Sequence, residues 1–481
     1  MSESQSSEQS HSEGEEPIRY INLYESDSKV YTRKVKGYFQ RLRRYTGIPL
    51  LLGFLLLPWL VIDDRPAVLF DLTEHKFHVL FVTFWPQDFI LLAWTLIIAA
   101  FLLFAVTVTV GRVWCGFTCP QTVWTLMYIW VEDICEGDRN KRIKLDKQPW
   151  NLEKLMRKGA KHALWLLIAF ITGATFIGYF MPIRDLLGGF FPSISASGIE
   201  WHTPAVAIFW TFLFTAFTYL NAGWLREQVC KYMCPYARFQ AVMYDKDTLY
   251  VQYDEARGET RGPRKASEDY KAKGLGDCVD CSWCVQVCPV DIDIRDGAQY
   301  ECINCGLCVD ACDSIMEKME YPKGLIRFTS EDQLENGHTQ FIRPRLVGYF
   351  SLVIVMIGLL AYTIYNRSPL GVDVLRDRSA SMYRVQGKEV QNVYTIKINN
   401  MDRKTHIYRI ELHGELPFEL KNYKPVPIAE GEVFTLPIRV AVPKKFITSE
   451  SHALTIHIIA QDNTEIAAKE KTVFMAPKPR K

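Results

Sequence analysis

The chain has 481 residues, 48 % of them hydrophobic and 23 % charged, with a formal net charge of +2. Five stretches carry no Asp, Glu, Lys or Arg: Tyr45 to Ile62, Phe89 to Gly111, His162 to Ile183, Trp201 to Leu225 and Leu346 to Asn366. Each is close to the roughly 20 apolar residues that cross a hydrocarbon core. A wholly soluble enzyme and a disulfide-stapled secreted scaffold are thereby excluded, and the near-neutral charge gives no reason to expect nucleic acid.

In chain order, residues 1–17 are rich in Ser and Glu and poor in bulky apolar side chains, a composition expected to stay disordered. The first apolar stretch follows Arg41, Arg43 and Arg44 and is interrupted by Pro49 and Pro58. It reads as a retained anchor rather than a cleavable signal. Just after the second stretch comes Trp114-Cys115-Gly116-Phe117-Thr118-Cys119-Pro120, and just after the fourth comes Val229-Cys230-Lys231-Tyr232-Met233-Cys234-Pro235. The halves thus repeat as two spans followed by C-x3-C-P, so a two-fold arrangement could gather four sulfurs. On a helix, positions i and i+4 share a face, whereas the proline tends to bend or start a helix. Cysteine also packs as a small hydrophobe. The duplication favours chemistry: soft thiolates that select Cu(I), or a dithiol–disulfide couple.

Between the fourth and fifth stretches lie Cys278, Cys281, Cys284, Cys288-Pro289 and Cys302, Cys305, Cys308, Cys312. Each run is C-x2-C-x2-C-x3-C, the spacing that wraps cubane iron–sulfur clusters in bacterial-type ferredoxins, where the last cysteine of one run serves the other cluster. Two 4Fe-4S clusters are expected, one on Cys278, Cys281, Cys284 and Cys312, the other on Cys302, Cys305, Cys308 and Cys288. Zinc needs four ligands and gains nothing from a third close cysteine in each run. Asp313 stands where the first run has Pro289.

Weaker candidates are Cys135 beside Glu132 and Asp133, expected in a solvated loop; His75, His78 and His202; and the thioethers of Met127, Met233 and Met243. Trp59, Trp85, Trp201 and Trp224 read as an interfacial aromatic belt. From Ser379 onward, apolar residues alternate with period two over Val390–Ile398, Thr405–Leu412, Val433–Val442, Ala453–Ala460 and Ile466–Phe474. This predicts an antiparallel, immunoglobulin-like sandwich, read as an interaction or packing module because it carries no cysteine.

Lys and Arg collect in cytoplasmic loops. Eight fall in Arg19 to Arg44, two in Asp63 to Asp88, ten in Arg112 to Lys161 and one in Arg184 to Glu200. The alternation predicts a cytoplasmic amino terminus, a cytoplasmic ferredoxin insert, which suits thiolate clusters in a reducing compartment, and a carboxyl-terminal domain exported past the fifth span. The resulting organisation is a multi-domain membrane protein: a tail over 1–17, transmembrane helices 1–4 over 18–225, a dicluster ferredoxin over 226–345, a fifth helix over 346–366 and a periplasmic sandwich over 367–481. No Rossmann or Walker loop, no C-x-x-C-H haem site and no nucleophile elbow occurs, so the electrons are expected to come from another protein.

With these motifs assembled, nearly the whole chain resembles the CcoG/FixG/RdxA family of accessory proteins for cbb3-type cytochrome c oxidase, a polyferredoxin-like group. The resemblance implies a bacterial inner-membrane protein that reduces Cu(II) to Cu(I) for oxidase assembly, an oxidoreductase of the cupric reductase kind. Cys115, Cys119, Cys230 and Cys234 would form or adjoin the copper site, and the eight ferredoxin cysteines would bring the electrons. The implied partners are a cytoplasmic electron donor, membrane lipid, and a copper chaperone or oxidase assembly factor; a homodimer is left open. Two other readings stay open: a quinol-linked electron conduit, and a non-enzymatic assembly scaffold or redox sensor.

Overall fold

A computed structural model describes residues 30–62, 65–73, 76–190, 205–226, 228–376, 383–402, 404–421 and 423–478. The tail over 1–17 and the candidates His75, Trp201 and His202 lie outside the described residues. The chain divides into two compact units: one comprises Met1–Asp71 and Leu103–Leu346, the other Leu72–Leu102 and Val347–Lys481.

Among the described residues, four helices are long and apolar enough to cross a membrane: Phe89–Val110, Leu152–Ile177, Ala205–Leu225 and Pro344–Tyr365. They correspond to four of the five charge-free stretches. The third begins about three turns before its apolar run, because Asn151 caps it by accepting from the Lys154 amide at 2.7 Å and the charged residues Glu153 to Lys161 continue the same helix.

The first stretch differs from expectation. It belongs to the helix Tyr38–Leu56, which includes Arg41, Arg43 and Arg44 and gives way at Leu57–Trp59 to a tighter 3-10 turn around Pro58. The charge-free part, Tyr45 to Leu56, rises only about 18 Å, against roughly 30 Å of hydrocarbon. Its N-terminus is capped from far along the chain: Asp310 accepts from the amides of Phe39 at 3.1 Å and Gln40 at 2.8 Å. A carboxylate there satisfies orphan donors and complements the helix dipole.

Within the same unit, strands Tyr250–Tyr253 and Ile326–Thr329 pair antiparallel. The short helix Trp283–Gln286 and the longer Leu307–Lys318 join them around a core of Val251, Met316, Leu325 and Ile326. The longer helix explains Asp313. After Cys312 the chain stays helical through Lys318, where proline would remove a helix hydrogen bond, and Asp313 instead accepts from the Gly324 amide at 2.9 Å.

In the second unit, Ile98, Val353 and Met356 bury the contact between two membrane-length helices. The carboxyl-terminal part is a β-sandwich. One sheet runs Glu419–Lys421, Val433–Pro443, Glu389–Asn400, Leu370–Arg376, with Arg384–Gln386 also paired to Glu389–Asn400; the other runs Pro427–Ile428, His406–Gly414, Ser451–Ala460, Ala467–Met475. All five expected strands are present within a few residues. Along Glu389–Asn400 alternate side chains Val390, Tyr394, Ile396 and Ile398 are buried, as period-two patterning requires. Leu370–Arg376 lies before the expected start at Ser379 and pairs Val374 with Ile396. Trp85 corrects the aromatic-belt reading: it is 4 % exposed, with the Lys76 ammonium 5.2 Å from its ring centroid and its amide donating to Asp88 at 2.9 Å. His78 sits in a hairpin strand, its Nδ1 2.9 Å from Thr83 Oγ1.

His406, buried, lies between Asp402 at 2.8 Å and Asp462 at 2.7 Å. Burial pulls its pKa down, but Asp462 and Asp402 outweigh that and raise it above 6.5. Its stabilisation is therefore complete below about pH 6.5 and lost as pH rises through the folded value. Thermal unfolding of the sandwich should show a lower Tm as pH is raised past neutrality, and His406→Asn should flatten that slope; an unchanged slope in the variant would exclude this histidine as its source.

Candidate metal centres

The two ferredoxin runs fold alike. The third and fifth residues of each adopt left-handed backbone: Asp280 and Ser282 in the first, Asn304 and Gly306 in the second, with φ of 50°, 53°, 52° and 71°. Asn, Asp and Gly tolerate this region best, and at Gly306 a side chain would also meet the Phe39 ring, 2.5 Å from a Cβ. The repeated winding turns three sulfurs of each run inward. One small cavity is lined by Cys278, Cys281, Cys284 and Cys312. A second is lined by Cys288, Cys302, Cys305 and Cys308, with Cys284 also at its wall. The fourth sulfur of each set thus comes from the other run.

Burial pushes the thiols of Cys284 and Cys302 up to about 12 and raises those of Cys288, Cys308 and Cys312 as well. Four thiols around one void, of which only Cys281 is exposed, form a donor set that suits an iron–sulfur cluster, and binding it must expel protons. Arg295 braces the first loop by bonding Asp280 at 2.6 Å and Asp293 at 2.5 Å.

The C-x3-C-P segments are built differently from two cysteines on one helix face. Cys115 lies in the short helix Val113–Phe117, while Cys119 is the extended residue that precedes Pro120, first residue of the helix Pro120–Cys135. Cys230 lies in the wide turn Val229–Met233, closed by a 2.8 Å bond from the Cys234 amide to the Val229 carbonyl. Pro235 then starts the helix Pro235–Val242. Both prolines occupy the first helical position, where the missing N–H costs nothing. The i, i+4 expectation therefore fails, because the helix breaks before each proline.

The four cysteines nevertheless lie close enough to interact electrostatically. Cys230 is pushed up to about 12 by burial and then by the neighbouring charges of Cys119, Cys115 and Cys234, against Arg112. Cys115 is raised by burial, with Arg112 opposing and Cys119 and Cys234 adding. The Cys115 thiol donates to Gln240 Oε1 at 3.3 Å, and Gln240 Nε2 donates to Thr107 Oγ1 at 3.0 Å.

The first C-x3-C-P segment abuts the second ferredoxin run. A Cβ on Gly116 would lie 2.6 Å from the Ile303 carbonyl oxygen and 2.9 Å from Cys305 Cα, so only glycine permits the approach. Two buried arginines flank the contact. Arg43 Nε donates to the Gly116 carbonyl at 3.0 Å and faces Cys305 and Cys288; Arg112 donates to the Tyr300 carbonyl and faces Cys302 and Cys115. No sequence signal marked these arginines beyond their contribution to the basic count.

A buried ion network holds the helix Pro120–Cys135. Glu132 pairs with Arg142 at 2.8 Å and Arg226 at 2.7 Å, and Glu136 pairs with Lys161 at 2.9 Å and Lys158 at 3.1 Å. Burial pushes Glu132 up, yet Arg226, Arg142 and Lys161 hold it below the usual carboxylate range. Cys135 ends this helix, packed near Tyr128 and Trp165, so the solvated-loop expectation is corrected. Glu132 is engaged with cations and is not placed as a metal ligand. Of the methionines, Met233 is exposed and Met243 buried; Met127 lines a cavity whose wall Cys230 also reaches.

Residues 225–331 match a family described as the 4Fe-4S dicluster domain, residues 92–132 a 4Fe-4S binding domain, and residues 360–477 the IG-like fold at the C-terminus of FixG. Fold and site thus define a membrane protein with 4Fe-4S domains and a carboxyl-terminal β-sandwich. The chain is 36 % identical to the nitrogen fixation protein FixG of Rhizobium meliloti, covering 89 % of this chain and 87 % of that protein. It is likewise 36 % identical to protein RdxB of Cereibacter sphaeroides, over 94 % and 93 % of the two chains, and to protein RdxA of the same organism, over 82 % and 84 %. The chain belongs to the FixG/RdxA/RdxB family. A crystal structure of a FixG-related protein from Vibrio parahaemolyticus aligns over 23 % of this chain and 97 % of that one, at 24 % identity and a TM-score of 0.21.

Glu132→Gln would leave Arg142, Arg226 and Lys161 buried around a neutral side chain. A loss of about 3–5 kcal/mol is expected, read as a lower unfolding midpoint in detergent; a midpoint equal to that of the parent chain would show the network to be dispensable.

Proposed function

We propose that this chain is a membrane iron–sulfur electron-transfer protein that reduces Cu(II) to Cu(I) for assembly of a cbb3-type oxidase. Cys278, Cys281, Cys284 and Cys312 would hold one 4Fe-4S cluster, and Cys302, Cys305, Cys308 and Cys288 the other. When bound, such clusters supply one-electron storage over a wide range of potentials. The observation that carries the reading is the seating of Gly116 on Ile303 and Cys305, which leaves no side chain between the second run and the Cys115 backbone.

Copper enters as substrate. Soft sulfur donors favour Cu(I) over Cu(II), so a pocket formed by Cys115, Cys119, Cys230 and Cys234 stabilises the reduced ion. Arg112 offsets the negative charge that thiolates gather there, and Gln240 orients the Cys115 sulfur. The basic residues around the first helix and the C-x3-C-P segments fit a cytoplasmic location for this unit, with the sandwich exported. A copper chaperone or assembly factor would then take Cu(I) onward.

Replacing Cys115 and Cys119 together with Ala should leave the iron–sulfur EPR signals intact and stop Cu(II) reduction, while undiminished reduction would remove these thiols from the mechanism. Anaerobic metal analysis should give about eight irons per chain and bound copper. About twelve irons without copper would assign the four thiols to a third cluster instead. Arg43→Met, which removes a buried cation beside Cys305 and Cys288, should lower one cluster potential by on the order of 100 mV in an EPR-monitored redox titration, and Arg43→Lys by less.

A further inference from the structure

The carboxyl-terminal sandwich carries no cysteine, but its outer surface holds another kind of donor set. Along the strand His406–Gly414, Tyr408 and Ile410 face the core, while Arg409, Glu411 and His413 alternate onto the other face, as period two requires. Register sets Glu411 directly across from His457 of the strand Ser451–Ala460, and His413 across from Thr455. Directly opposite and diagonal side chains on one face of an antiparallel pair interact, so this register gathers Glu411, His413 and His457.

One ligand atom from each of the three lies within 4.8 Å of the other two. The imidazole ring centroids are 4.3 Å apart, and Glu411 Oε2 is 3.6 Å from His413 Nε2. The second carboxylate oxygen, Oε1, accepts from Arg409 Nε at 3.1 Å, which leaves Oε2 turned to the imidazole. Donors around a tetrahedral zinc are about 3.3 Å apart, so closing the set takes a movement of about 1.5 Å at most. Glu411 and His413 reach solvent and have room to make it. The two strands beneath them are the inner pair of their four-stranded sheet, a rigid base for the three side chains.

We infer that this face binds one divalent transition-metal ion of the zinc class, coordinated by His413, His457 and Glu411. The donor types decide the class. Imidazole suits zinc and its neighbours, all-oxygen sets suit Mg²⁺ and Ca²⁺, and Cu(I) favours thiolate and thioether sulfur. Two histidines and one glutamate also hold zinc in three-ligand sites whose fourth position stays open to water.

Arg409 steadies Glu411 from behind, the part that outer-shell partners of ligating carboxylates play. Lys469 stands across from His457 on the neighbouring strand Ala467–Met475. With Arg409 and Lys469 both at hand, local charge does not attract a cation, and the imidazole nitrogens carry the binding. The site is separate from the cysteine chemistry and stands whether or not the chain reduces copper.

The test is protection of histidines from acylation in the full-length protein, purified in detergent and mapped peptide by peptide with mass spectrometry. Diethyl pyrocarbonate should modify His413 and His457 in the absence of metal. Zn²⁺ should suppress both modifications while the exposed His338 stays reactive, and Mg²⁺ at the same concentration should protect neither. Because each residue is read separately, zinc held by the cysteines does not enter the result. Glu411→Gln should raise the Zn²⁺ concentration for half-protection by at least about tenfold, a usual cost of disturbing the shell around a metal. In His457→Ala the protection of His413 should be lost. Equal reactivity of His413 and His457 with and without Zn²⁺, equal protection by Mg²⁺, or protection of His413 undiminished in both variants would each overturn the proposal.

Discussion

Two buried guanidinium groups between two sets of cysteines set the terms for the first unit. Arg43 is 4 % exposed and Arg112 2 %, and an unpaired charge at such depth costs several kcal/mol. Each donates to a backbone carbonyl, of Gly116 and Tyr300 respectively, but a neutral carbonyl offsets only part of the cost. Thiolate on the groups facing them, Cys305 and Cys288 for Arg43 and Cys302 and Cys115 for Arg112, would supply the rest once a cluster or metal ion replaces the thiol protons. Occupation of the thiol sites and closure of the fold are therefore coupled. Folding places the cations where they stabilise thiolate, and thiolate makes their burial tolerable.

The same economy of charge governs the helix Pro120–Cys135. Its amino-terminal end carries Cys119 as the residue before Pro120, and its carboxyl-terminal half carries Glu132 and Glu136, clamped by lysines and arginines from three other segments. Arg226, one residue past the fourth apolar stretch, ties the approach to the second C-x3-C-P segment to Glu132 of the first. The two motifs are brought together by an ion pair as well as by their repeat. The Asp310 cap on the helix Tyr38–Leu56 likewise fastens the first helix to the ferredoxin module through its backbone amides.

Much of this was legible in the residues. The grouping of cysteines was expected from the C-x2-C-x2-C-x3-C spacing, whose last cysteine serves the other cluster in bacterial-type ferredoxins, and the two small cavities are lined by the same sets. The sandwich strands were legible because one buried face imposes period two, which Val390, Tyr394, Ile396 and Ile398 display. Leu370–Arg376 was missed because Gly371 and Asp373 dilute its alternation and its place is set by pairing with Glu389–Asn400. Of the first apolar stretch only Tyr45 to Leu56 lies in one helix, because Pro58 tightens the chain into a 3-10 turn while Pro49 is accommodated within the helix.

By itself, the sequence determined that the chain carries two ferredoxin-type cysteine runs, that it holds membrane-length helices, and that an all-β module follows, because cysteine spacing, apolar run length and strand alternation are local properties. Only the tertiary structure decided that Gly116 rests on Ile303 and Cys305 and that Arg43 and Arg112 are buried beside the cysteines. Those facts depend on contacts between residues scores to hundreds of positions apart, where burial and close approach, rather than spacing, fix the electrostatics.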